Sequence, residues 1–145
     1  MQHLIESISS LYKQWKGIGP VSVDLLPQSG SERRYFRLHG KEGTVIGAYG
    51  ANIPENETFV YFSRQFRKKN LATPEILAIS NDKMFYLQED FGAVSLLNHL
   101  EAKGFNEEVY GLFKRSLEAL ALLQVKGDDG LDYKTYCLTN TEFGK

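Results

Sequence analysis

Cysteine is almost missing from this chain. Its single example, Cys137, excludes an internal disulfide framework and any metal site built from several thiolates, and such usage fits a reducing cytosol. A strong charge of one sign is also lacking. With 17 basic against 18 acidic residues the formal net charge is −1, too weak a field to draw the chain to nucleic acid or to an anionic membrane. No apolar run approaches the roughly 18 residues of a membrane-crossing helix, and the N-terminus lacks the basic-then-apolar pattern of a secretory leader. His3, His39 and His99 are scattered without neighbouring carboxylate patterns, so a zinc site is not expected. Internal repeats and low-complexity stretches are missing as well. What remains is the composition of a cytoplasmic globular protein with apolar side chains enough for one core.

Periodicity then sets the elements. Leu4, Ile8, Leu11, Tyr12 and Trp15 recur at three- and four-residue intervals and describe one helix face, closed by Gly17 and Gly19-Pro20. Short runs at 21–26, 33–38 and 44–49 read as three antiparallel strands joined by turns at Pro27–Ser31 and Gly40–Gly43. Residues 55–70 carry Phe59, Phe62 and Phe66 at helical spacing, acidic residues first and basic residues last, as a helix dipole favours. Residues 75–79 and 83–88 predict two further strands across a Ser80-Asn81-Asp82 turn. Helices are predicted over 94–103 and 107–125. The second has a broad apolar face of Val109, Leu112, Phe113, Leu117, Leu120 and Leu123 that lacks an obvious partner. The sum is an α+β arrangement with one helix packed on a mostly antiparallel five-stranded sheet.

Three segments give this order a direction. Ser29-Gly30-Ser31-Glu32-Arg33-Arg34-Tyr35-Phe36-Arg37-Leu38 is a small-residue turn followed by a cationic strand, and Leu87-Gln88-Glu89-Asp90-Phe91-Gly92 ends the last strand. Leu120-Ala121-Leu122-Leu123-Gln124 closes the last long helix. Together with the element order these resemble the aminoglycoside phosphotransferase and choline kinase-like family, in its amino-sugar kinase-like branch, over most of 24–133. The resemblance implies a protein-kinase-like small lobe with hinge at 21–92, preceded by an N-terminal helix at 1–20 and followed at 93–145 by the start of a large lobe. It implies ATP and magnesium as cofactors, a sugar or amino-sugar hydroxyl as phosphate acceptor, and a chain inactive alone.

Residue by residue, the resemblance puts Ser29, Gly30 and Ser31 over the phosphates, where small side chains let backbone N–H groups approach. Ala48 and Leu87 border the base, and the Gln88 carbonyl and Asp90 N–H read its edge. The strand at 44–49 aligns with the one on which most kinases carry a phosphate-clamping lysine, yet it has none. Arg37, paired with Glu55 or Glu57, is the favoured replacement; alternation sets Arg33 and Arg37 on one strand face and Arg34 on the other. In the family the catalytic base and metal ligands follow the last helix, so no catalytic or metal residue is assigned here. Asp90-Phe91-Gly92 spells a kinase magnesium triplet, and His99-Leu100-Glu101 with Asn106 imitates a catalytic loop. Both sit at the wrong place in the order. Arg64-Gln65-Phe66-Arg67-Lys68-Lys69 is a basic run that a helix C-terminus favours for its own reasons. The competing reading is a non-catalytic interaction module. In it the apolar face of the last helix binds a partner or a second copy, and self-association of the isolated chain is expected.

Overall fold

The computed structural model describes residues 1–28 and 30–137. Helix α1 (Gln2–Lys16) ends where Gly17 takes a left-handed conformation, φ 80°, and its N–H donates to the Lys13 carbonyl. The chain then runs through β1 (Ser22–Leu25), β2 (Arg34–Gly40) and β3 (Gly43–Tyr49) as a meander, crosses through α2 (Ile53–Lys68), and returns as β4 (Ile76–Ile79) and β5 (Phe85–Glu89). Helices α3 (Leu96–Lys103) and α4 (Glu107–Gly127) and the single turn α5 (Tyr133–Tyr136) follow. Asn52 caps α2 by accepting from the Glu55 N–H, with Glu55 in its first turn and Arg67 and Lys68 in its last. Charge and cap thus act in the same direction.

All strand pairs are antiparallel, in the order β1-β2-β3-β5-β4. β5 therefore lies inside the sheet, between β3 and β4. Side-chain alternation divides the strands into two faces. Phe36, Leu38, Phe85 and Leu87 form one cluster with Leu4, Ile8, Leu11 and Tyr12 of α1. Ala48 and Tyr86 form another with Val60 of α2, flanked by Tyr35, Phe59, Ile76 and Ile79. Full burial of a leucine, isoleucine or phenylalanine here, such as Ile8, Phe36, Leu38 or Leu87, contributes roughly 1.5–3 kcal/mol.

Two helices, rather than the single one expected, thus cover the sheet. α1, expected as a separate N-terminal helix at 1–20, lays its apolar face on the sheet and covers one side of it. At Gly47 a Cβ would come within 2.5 Å of Ile8 Cγ1 and 2.8 Å of Leu38 Cδ1, which is why the helix can rest so closely on β3. α4 is the opposite case. Of its residues only Val109 and Gly127 are buried, and Tyr110, Leu117, Leu120, Leu122 and Val125 are exposed. Among the described residues no helix is long and apolar enough to cross a membrane.

Candidate functional site

On the α2 side of the sheet, Tyr35, Ala48 and Tyr86 stand in one row across β2, β3 and β5, and Arg37, Ile46, Gln88 and Ile76 in the next. Arg33, just before β2, sits at the edge of this face. Its Nη2 is 3.0 Å from Glu55 Oε1 and its side chain is 13 % exposed. The guanidinium lies over the Phe59 ring, 5.6 Å from the centroid. Its Nε is buried without a hydrogen-bond partner, as are the Tyr86 hydroxyl and Gln88 Oε1. Unpaired polar atoms under cover are costly, and three of them lie on this one face. Burial, with the Tyr35 hydroxyl close by, holds the Tyr86 phenol well above the usual tyrosine range, so at neutral pH it keeps its proton and stands as a donor.

The turn before Arg33 is held locally. Ser31 Oγ accepts from the Arg33 N–H at 3.1 Å, and Gln28 Nε2 donates to the Ser31 carbonyl at 2.9 Å. A Cβ at Gly30 would meet nothing within 4 Å, so Gly30 faces open space. Ser29, expected to share this lid, lies outside the described residues. Gly30 and Ser31 do lie beside Arg33.

The structure redistributes the other expected contacts. Arg37 does not pair with Glu55 or Glu57. Its Nε donates to Asp90 Oδ2 at 2.7 Å, and its Nη2 to Asp90 Oδ1 at 3.2 Å and to the Gly92 carbonyl at 3.1 Å. Asp90 also accepts from Thr44 Oγ1 at 2.7 Å and from the Gly92 N–H at 2.8 Å. The Arg37 bonds above all, with help from Thr44 and Gly92, bring its carboxyl down to about 2. This anion is committed to tying the strand exit to β2 and β3. Glu55 goes to Arg33, and Glu57 goes to Lys83.

Ala48 and Leu87 likewise do not converge. Ala48 belongs to the α2-side cluster, while Leu87, fully buried, belongs to the α1-side cluster. Neighbouring residues in register, such as Gly47 and Leu87, share a face; Ala48 is one residue off that register, so its side chain points the other way. The α2-side residues of β3 and β5 are Ile46, Ala48, Tyr86 and Gln88. Gln88 is paired on both sides, with Ile46 and with Ile76. Its backbone groups therefore lie in the plane of the sheet, and the first residue past the strand is Asp90.

Elsewhere, a cavity of about 700 Å³ opens between one flank of α2 and the β4–β5 turn. Its walls include neither the Gly30–Ser31 turn nor Arg37, Ala48 or Leu87. It adjoins the polar face around Arg33 through Tyr86, which belongs to both. Among the described residues no cluster of three or more His, Cys, Asp or Glu side chains is placed to hold a metal. No protein-family model matches the chain, and no curated protein matches it.

Proposed function

We propose that this chain is the nucleotide-facing small lobe of an ATP-dependent phosphotransferase that acts on a hydroxyl of a small metabolite, a sugar or amino sugar being the acceptor class. The observation that carries the reading is Arg33: a cation held by Glu55 from the helix that packs on the sheet, with a buried unpaired Nε, directly after an open small-residue turn. A guanidinium so fixed suits a phosphate oxygen, because the fork is pre-organised and its charge needs no rearrangement on binding. Arg33 thereby takes the part of the lysine that β3 lacks, and Arg37, engaged with Asp90, does not. Ile46 and Gln88 would flank the base, with Gly30 and Ser31 over the phosphates. ATP and magnesium would supply the transferable phosphoryl group and its charge compensation. This chain's own contribution is to hold and orient the nucleotide.

Calorimetric titration with ATP and magnesium, on this chain and on any longer product of its reading frame, tests the proposal. Arg33→Gln is expected to weaken binding about tenfold or more, roughly the 1.4 kcal/mol of one charge-assisted bond, while Arg34→Gln leaves it unchanged. Equal affinities for Arg33→Gln and wild type would sink the assignment. The exposed apolar face of α4 favours a second reading, an interaction module. For that reading the supporting result is a defined dimer with no nucleotide binding in any form of the chain.

A further inference from the structure

The basic run from Arg64 to Lys69 is split by the fold into two pairs. Arg67 reaches Glu89 at 3.8 Å and the Thr73 carbonyl at 3.5 Å, and Lys69 donates to the Gly127 and Asp129 carbonyls. These two cations serve the protein's own structure. Arg64 and Lys68, one helical turn apart, are exposed, have no ion pair among the described residues, and line the cavity between α2 and the β4–β5 turn. A third cation, Lys83, faces them from the opposite wall.

That opposite wall is firmly built. Lys83 adopts φ 59°, its N–H donates to the Ser80 carbonyl at 3.0 Å, and its carbonyl accepts from Asn56 Nδ2 at 2.9 Å. Asn56, 2 % exposed, also donates to the Gly50 carbonyl at 2.8 Å, so the turn is pinned to α2 from inside. The side wall is a stacked pair, Tyr61 on Tyr136, with centroids 3.8 Å apart and planes 6° from parallel. Glu57 is the one carboxylate in the lining, and it is already paired with Lys83.

We propose that this cavity is a second ligand site, distinct from the Arg33 face, and that it accepts a small phosphorylated metabolite. Lys83 and Glu57 neutralise each other, so the two unpaired cations, Arg64 and Lys68, set the sign of the ligand. A volume of about 700 Å³ falls within the range of small-molecule sites. Arg64 and Lys68 stand one helical turn apart on the α2 wall, a spacing that suits a compact anion seated in the cavity. Asn81 at the turn and Gln65 on the helix add neutral hydrogen-bonding groups for the rest of the molecule. Arg64 and Lys68 also border, with Arg67 and Glu75, a smaller depression of about 310 Å³ on their other side.

Inorganic pyrophosphate is the probe, titrated calorimetrically into the whole chain at low salt. Wild type is expected to bind it saturably at one site of this kind. Arg64→Ala/Lys68→Ala is expected to lower the affinity about tenfold or more with an unchanged urea midpoint, and Arg33→Gln to retain binding at this site. Absent saturable binding, or affinity untouched by the double substitution, overturns the proposal. So does an affinity for single-stranded RNA that grows with its length and vanishes in the same double variant, since that is the behaviour of an open cationic surface.

Discussion

Asp90 accepts from Arg37, Thr44 and the Gly92 N–H at once, and its side chain is 4 % exposed, covered by the arginine and the strand-exit backbone rather than by a deep core. Its carboxyl titrates near 2 in the folded chain and near 4 when unfolded. Because the folded value is the lower one, the stabilisation is fully present above the unfolded pKa and is lost as pH falls from about 4 through about 2. We expect Asp90→Asn to cost about 1–2 kcal/mol at neutral pH and to flatten that part of the acid limb in urea titrations at successive pH values. Asn56→Ala removes the donor shared by two carbonyls and is expected to cost about 2–3 kcal/mol by the same measurement. Neither network was legible in the sequence. Alternation told which residues share the face of Arg37, but its partner lies 53 positions away, and Glu55 and Glu57 were nearer by element and equally acidic. The pairing Arg33–Glu55 was missed for a local reason: alternation sets Arg33 and Arg37 on one face and does not tell which of the two stands opposite Glu55.

At the scale of elements, the helices and strands were readable because their apolar residues repeat with periods of 3.6 and 2. Every expected strand and each of the four longer helices is present, with ends shifted by a residue or two. The short turn α5 has no periodicity to read. The position of β5 was also hidden, since order within a sheet depends on which edges meet, and no residue of β5 names β3 as its neighbour. Ala48 and Leu87 were assigned to one pocket for want of that register. The seating of α1 on β3 makes a sharp test. Gly47→Ala forces a methyl into Ile8 and Leu38 and is expected to destabilise by about 1–3 kcal/mol. Ile8→Ala, which leaves a cavity on the same contact, is expected to cost about 2–5 kcal/mol. If Gly47→Ala left the urea midpoint in place, the packing of α1 on the sheet would be wrong.

For the whole molecule, the sheet is finished on both sides while α4 is not. Leu117 is 66 % exposed and Leu120 49 % exposed, three positions apart on one helix face. Contiguous apolar surface of this kind drives association. Sedimentation velocity on the isolated chain is expected to show concentration-dependent assembly, and Leu117→Glu/Leu120→Glu to return it to monomer. A monomer at all concentrations without those substitutions would contradict the expectation.

The order of synthesis gives the lid on the sheet a further consequence. α1 leaves the ribosome first, yet it rests on β3, β4 and β5, and the last of these ends at Glu89. At about 5–20 residues per second, the helix waits roughly 4–15 s with Leu4, Ile8 and Leu11 bare before its seat exists. During that interval the nascent chain offers a chaperone the bare apolar face of α1, and arrest experiments should find protease resistance arriving in one step, after β5 has cleared the exit tunnel rather than after α1.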